Sequence, residues 1–314
     1  MASPGLTEIV TTTLRNRSKQ LADNVTNHNA LLNRMNSKGN IVELSGGRTI
    51  VREMEYQAND TAAFYSGYEV LDVSPADVLT AAEFDWKQLA GTVTISGLEE
   101  VKNNGPDAII NLLEARIGVL ERSLENKVAT ALYSDGTGSS GKEIGGLQLL
   151  IADAGTGTVG GINSSTFSFF QNVQTTATGS AFASANVQAD MNTIYLQLVR
   201  GVDKPDTITA DAIAYKAFLA SLQTIQRVAD ADMANAGFVT TKYLGSDVFF
   251  DDQCPANHMY FVNTNYLRLE VARDRNFVPL ESRMSVNQDA LVTPMVWSGN
   301  MTVSNRALQG VIHT

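Results

Sequence analysis

The stretch Pro106–Tyr133, PDAIINLLEARIGVLERSLENKVATALY, reads as one long amphipathic helix. Apolar residues fall at Ile110, Leu113, Ile117, Leu120, Leu124, Val128 and Ala131, in steps of three and four that put them on one face. Glu114, Arg116, Glu121, Arg122, Glu125 and Lys127 take the opposite side. Gly105 ends the preceding segment, and Pro106 suits a first helical turn, where its missing N–H costs nothing. Asp107 lies near the positive end of the helix dipole, and Ser134-Asp135-Gly136 stops the helix. At roughly 1.5 Å per residue this is a rod of about 40 Å. Globular helices usually run about 8–20 residues. Such a rod is either a long core helix or a strut on which an extended protein is built, and the flanking segments decide.

With 314 residues and 44% hydrophobic content, the chain supports a true core in one large domain or two smaller ones. Charged residues make up 18%, below the usual quarter, and Asn, Gln, Ser and Thr fill the gap. Large protein–protein contacts leave a neutral polar surface of this kind, and so does a merely Asn/Thr-rich soluble protein. The net charge is −10, with no basic tract or arginine stripe, which argues against sequence-specific nucleic-acid binding. Cys254 is the single cysteine, so no internal disulfide framework exists. No apolar run approaches the ~18 residues of a membrane span. The opening MASPGLTEIV lacks the basic and apolar regions of a signal peptide, and the expected compartment is cytoplasm-like.

Residues 1–40 are polar, with Leu14, Leu21, Val25, Leu31 and Leu32 recurring along a loose helix from about Leu6 to Met35; they read as an arm that needs a neighbour to settle on. Ile41–Leu44, the Gly46-Gly47 turn and Arg48–Tyr56 suggest a strand and the start of a hairpin. Arg48–Tyr56 puts Ile50, Arg52, Met54 and Tyr56 on one side and Thr49, Val51, Glu53 and Glu55 on the other. Charge on both faces suits a projecting two-stranded ribbon that rests on another subunit. Phe64-Tyr65-Ser66-Gly67-Tyr68 sits at its bend. Around Gly91, Leu89, Val93 and Ile95 alternate with Thr92, Thr94 and Ser96 as in a half-buried strand. Glu99-Glu100 then leads into the long helix as a solvated start.

This order, ribbon strands followed by WKQLAGTVTISGLEEVKNNGPDAIINLLEARI, resembles the major capsid proteins of tailed bacteriophages, which have the Hong-Kong-97-type capsid fold. The Gly155–Thr166 segment, with its VGGIN run before Phe167, Phe169 and Phe170, resembles the family's segment after the spine helix. The likeness extends over roughly residues 40–314. It implies an α+β fold with an N-terminal arm at 1–40 and an extended loop with its base strands at 41–98. A peripheral domain follows at 99–200 with its spine helix at 106–133. An axial domain is expected at 201–285, and returning strands at 286–314. It implies a coat protein that assembles with itself into hexamers and pentamers of an icosahedral shell around double-stranded DNA, bound without sequence specificity. Further implied partners are a separate scaffolding protein, since only about 40 residues precede Ile41, a portal and a decoration protein. Assembly is expected in the host bacterial cytoplasm, with no membrane. Arg48, Arg52, Tyr56, Phe64, Tyr65, Tyr68 and Trp86 become the candidates for contacts between subunits.

In the second half, 147–151 reads as a strand and 171–185 as a polar loop. Residues 185–199 and 212–228 read as helices, 207–210 as a buried strand and 230–235 as a loop. Strands are expected at 243–250, 259–263, 266–271, 284–286, 290–297 and 301–304. Gly155, Gly157 and Gly160 spell a dinucleotide-type glycine pattern, but GINSSTFSFF after them is not helical and no acid follows at the required distance. Cys254 and His258, near Asp251 and Asp252, lack further Cys or His partners for a metal site. With three histidines and one cysteine, nucleophilic catalysis has few possible members, so no enzyme activity, cofactor or metal is expected. The alternatives are another self-assembling surface protein, such as a flagellin, and a soluble α/β enzyme. The strand-like C-terminus LVTPMVWSGNMTVSNRALQGVIHT argues against the coiled termini of a flagellin.

Some members of the resembled family join subunits by a lysine–asparagine bond from the projecting loop, but residues 39–86 contain no lysine here. Boiled and reduced particles should therefore run on a denaturing gel near the 33.8 kDa of one chain. A ladder of covalent multimers would contradict noncovalent assembly.

Overall fold

The structure, a computed structural model, describes residues 30–75, 77–102, 112–222 and 240–314. The helical readings over 6–29, 106–111 and 223–228, and the loop at 230–235, lie outside the described residues. In chain order the strands are β1 (Ile41–Leu44), β2 (Ile50–Glu55), β3 (Leu79–Phe84), β4 (Lys87–Ser96), β5 (Thr158–Val159), β6 (Ile162–Asn163), β7 (Val173–Thr176) and β8 (Thr207–Ala210). They continue with β9 (Thr240–Tyr243), β10 (Ser246–Phe250), β11 (His258–Val262), β12 (Leu267–Ala272), β13 (Val278–Pro279), β14 (Arg283–Met284), β15 (Ala290–Val303) and β16 (Gly310–His313). Two mixed sheets dominate. In one, β15 carries β4, β13 and β14 along its length, and β12 joins it to β1. The other runs β7-β16-β11-β8-β10-β9. The α+β class expected from the sequence is the class observed.

The long helix spans Leu112–Ala131 among the described residues, about 30 Å at 1.5 Å per residue. Leu124, Val128 and Ala131 on its apolar face are buried. It lies across β4, and Gly91 is the reason it can. A Cβ at Gly91 would stand 2.4 Å from Leu120 Cδ1. A short helix, Gly97–Lys102, stands before the long one, and its start is fixed differently from the solvated Glu99 expected. Ser96 and Glu99 form a capping box: the Ser96 N–H donates to Glu99 Oε2 (3.1 Å) and the Glu99 N–H to Ser96 Oγ (3.3 Å). Arg116 from the long helix clamps the same carboxylate at 3.1 Å through both nitrogens. That guanidinium, by its hydrogen bonds above all, holds the Glu99 carboxyl below the usual range.

Several local readings are corrected. Ile41–Leu44 is not half of a hairpin with Arg48–Tyr56. It pairs in parallel with β12, Ile41 facing Leu269, whereas β2 pairs antiparallel with β3, Ile50 facing Phe84. Residues 147–151 hold a single helical turn, Leu147–Leu150, because Gly146 packs so close to the end of the long helix that a Cβ would meet the Leu132 carbonyl at 2.4 Å. The loop read at 171–185 contains β7, an edge strand parallel to β16. The single strand read over 243–250 is a hairpin, turned at Leu244 and Gly245, both with positive φ. The strands read at 290–297 and 301–304 are one strand, β15. Residues 173–198 pack on the second sheet, while 267–284 belong to the first.

The helix Ala30–Ser37 is docked on the chain's own body, which an arm ending at residue 40 does not anticipate. Leu31 and Met35 are fully buried in the first core. Arg34 pairs with Asp247, and Lys38 lies 3.5 Å from Asp206. The buried Asp251 carboxylate accepts the Leu31 N–H (3.3 Å) and the Tyr133 hydroxyl (2.8 Å). Burial pushes the Asp251 carboxyl up, so its ionised form costs stability and protonation favours the fold.

Gly91→Val should destabilise the unassembled chain by about 1–3 kcal/mol, because the new methyls meet Leu120 in a filled site. Chemical denaturation of the soluble subunit measures it. Leu120→Ala in the same chain should recover part of the loss, and a Gly91→Val chain as stable as the parent would refute the tight crossing.

Candidate functional site

β2 and β3 form a two-stranded ribbon whose base is built into the body. Ile50, Met54, Ala82 and Phe84 face inward and join the first core, while Val51, Glu53 and Glu55 face out. This is the face division read from the alternation, but the inner face is covered by the chain itself. The Glu83 N–H donates to the Gly160 carbonyl (3.0 Å), so the β5–β6 hairpin continues the ribbon edge. Gly160 has φ +56°, and a Cβ there would stand 2.7 Å from that of Ala82. Gly160, the last glycine of the dinucleotide-type pattern, thus serves a tight turn under the ribbon.

Arg52 lies beneath this base. It stands 3.4 Å from Glu270, which is buried and also accepts from Thr302 Oγ1 (3.1 Å). Burial first, then Arg268, pulls the Arg52 guanidinium down, and Glu270 opposes them. Trp86 Nε1 donates to the Gly47 carbonyl (3.0 Å), and the ring packs on the first core. Tyr56 packs against Phe169 with centroids 5.4 Å apart. Tyr56, Phe167, Phe169, Ile162 and Leu79 line an open cleft of about 570 Å³ with Asp77 and Glu83 among its walls.

Beyond the base, residues 57–78 form a loop with no regular secondary structure among the described residues. Its hydrogen bonds are local, and many of them run to side chains. Asn59 Oδ1 accepts the Thr61 N–H (3.0 Å), Glu69 accepts the Ser66 N–H (2.9 Å), and Asp72 accepts from Ser74. Those Ser74 bonds hold the Asp72 carboxyl below its usual range. Phe64 (107% exposed) and Tyr68 (105%) stand fully in solvent, and Tyr65, Val70, Leu71 and Val73 are also exposed. Isolated exposed apolar residues need no explanation, but six within ten positions form a patch of the kind that marks an interaction site. The seven sequence candidates therefore divide. Phe64, Tyr65, Tyr68 and Arg48 are exposed, whereas Arg52, Tyr56 and Trp86 are engaged within their own chain.

The pairing of Cys254 and His258 has no metal-site geometry. Cys254 Sγ donates to the His258 carbonyl (3.6 Å), and His258 Nε2 stands 3.1 Å from Asp153. No group of three or more His, Cys, Asp or Glu is arranged to hold a metal among the described residues. Burial also pushes the Cys254 thiol far up, which leaves it inert. Among the described residues no helix is long and apolar enough to cross a membrane.

A family model described as SU10 major capsid protein matches residues 89–293. The chain is similar in structure to the cyanophage A-1(L) capsid asymmetric unit, with a TM-score of 0.74, 15% identity, and 96% of each chain covered. It is similar to the capsid of an empty GTA particle (TM-score 0.65, 10% identity, 100% of this chain and 99% of that one). It also resembles the holo-SrpI encapsulin complex from Synechococcus elongatus PCC 7942 (TM-score 0.60, 9% identity, 98% and 95% covered). These likenesses establish the shared fold. No curated protein matches the chain in sequence.

Arg52→Ala should destabilise the subunit by about 3–5 kcal/mol, because it leaves the buried Glu270 carboxylate without its cation. Denaturant titration reads the loss. If Arg52→Ala unfolds at the parent midpoint, Arg52 is not a buried partner of Glu270.

Proposed function

The chain belongs to the SU10 major capsid protein family, and from that premise we propose that its copies form hexamers and pentamers tiling a closed icosahedral shell around double-stranded DNA. It is a structural protein of a phage capsid and associates with copies of itself. The observation that carries the finer reading is the loop between β2 and β3, whose aromatic and aliphatic side chains stand in solvent. A monomer gains nothing from that arrangement. A neighbour that covers them gains roughly 25 cal/mol for each Å² of apolar surface removed from water.

In this reading the loop reaches adjacent subunits through contacts that differ on the two sides and close by symmetry. Many weak copies of one contact then make a durable particle. The protein carries out no catalysis and needs no cofactor. Scaffolding, portal and decoration proteins are its further partners, and assembly takes place in the host bacterial cytoplasm. The DNA is enclosed without being read.

Negative-stain microscopy of the expressed, full-length protein tests this. Polyhedral shells or tubes are the expected result. Helical filaments, or monodisperse small particles at every concentration and with added scaffolding protein, would overturn the reading.

A further inference from the structure

We propose that Arg52 and Arg268 form a binding site for a small oxyanion of the phosphate or sulfate class, seated between the ribbon base and β12. Strand alternation brings the groups together. Arg268 and Glu270, two positions apart on β12, share one face, and Thr302 stands opposite Arg268 on β15. Arg52 meets them from the inward side of β2, 3.4 Å from Glu270 Oε1. Two guanidiniums therefore share one carboxylate, and the cluster carries one positive charge in excess.

The hydrogen-bond donors are as unbalanced as the charge. A guanidinium offers several N–H donors, and a buried one ordinarily finds acceptors for them. Arg306 does so, with the Leu150 and Phe170 carbonyls, Ser164 and Asn172 as acceptors. Arg52 is different. Its side chain is 14% exposed, it makes no hydrogen bond among the described residues, and its Nε is buried without an acceptor. Arg268 is half-buried and has neither a hydrogen bond nor an ion pair among the described residues. Glu270 Oε1 also accepts from Thr302 Oγ1 (3.1 Å), so one oxygen serves two donors.

An ion with several oxygens supplies the missing acceptors. It takes N–H groups from both planar forks at once, the geometry in which guanidinium groups hold phosphate. It also offsets the repulsion from Arg268 that, after burial, pulls the Arg52 guanidinium down. The outward face of the ribbon sets the size of the guest. Glu53, Glu55 and Glu83 are exposed there, and their carboxylates turn away a long polyanion such as nucleic acid. A single ion reaches the half-buried Arg268 and ties β2 to β12.

Thermal unfolding of the full-length, unassembled chain tests the site, with sodium phosphate exchanged for sodium chloride at constant ionic strength. Phosphate at roughly tenfold above its dissociation constant should raise Tm by about 2 °C. Arg268→Gln leaves the Arg52–Glu270 pair in place and should abolish the shift. Arg273→Gln, at an arginine 65% exposed, should keep it. If Arg268→Gln does not fold, Arg268→Lys, which holds the charge without the fork, should lower phosphate affinity by about tenfold, and undiminished affinity there overturns the site. An equal shift in the parent and in Arg268→Gln is the general stabilisation that phosphate gives any protein, and it overturns the site, as does no shift at all. If a short DNA duplex displaces the phosphate, the two arginines take a nucleic-acid backbone and the small-ion site is overturned.

Discussion

The pairing of β15 with β4 is the constraint on which the rest of the structure depends. Ten residues of each strand are in register, from Ala290 opposite Ser96 to Gly299 opposite Lys87. Across its other side β15 takes β14, β13 and then β12. Because β4 also carries the long helix, this single strand fixes the helix, the ribbon base and the returning chain in one body. Its continuity through Ser298-Gly299-Asn300 has a local cause. A Cβ at Gly299 would meet the Glu270 carbonyl at 2.5 Å and the Trp297 ring at 2.8 Å, so only glycine lets β12 lie this close. Asn300 then secures the neighbours: its Nδ2 donates to the Asp85 carbonyl (2.8 Å) and its Oδ1 accepts the Gly145 N–H (3.2 Å).

Polar groups buried away from water join the parts that hydrophobic burial alone would leave free to slide. Arg306 is fully buried, and its acceptors are neutral: the Leu150 carbonyl (2.7 Å), the Phe170 carbonyl (3.1 Å), Ser164 Oγ (3.2 Å) and Asn172 Oδ1 (2.9 Å). Its guanidinium also lies over the Phe170 ring. Burial pulls it down to about 10, which leaves it charged at neutral pH. One side chain thereby ties the glycine-rich segment to the C-terminal strands. Asp251 does the same for the helix Ala30–Ser37, the end of the long helix and the second sheet. Directional bonds of this kind specify one arrangement, since any other leaves a buried charge without partners.

The parts legible in the sequence were those with a strong period. The apolar face of Leu112–Ala131, the alternation around Gly91 and the helices at Val187–Leu198 and Ala212–Ser221 could be read because each repeats over several turns or residues. Asp211 even marks where the last begins, accepting the Ala214 N–H at 2.8 Å. Two-residue strands and single turns carry no period, so β7, β13 and Leu147–Leu150 were invisible or misread. Pairing partners were equally hidden. Nothing local distinguishes Ile41–Leu44 pairing with β12 from a hairpin with its neighbour, because the choice is made 225 or more residues away. For the candidate contacts, residue type alone could not separate the exposed Phe64 from the engaged Tyr56. The difference is made by Phe169, which reaches Tyr56 from a segment more than 110 residues further along the chain.

The overall charge gains a different meaning once it is placed on the fold. An acidic coat subunit invites the idea that the shell repels the nucleic acid it encloses. Yet eight of the ten excess negative charges lie between Glu53 and Trp86, leaving two for the other 280 residues. The body is close to neutral, and the acidity belongs to the ribbon and its loop. A charge so localised acts over about a Debye length, near 8 Å at physiological salt, which is the scale of a subunit contact and not of a packed interior. The acidity of this chain is therefore a property of the β2–β3 ribbon and its loop rather than of the body.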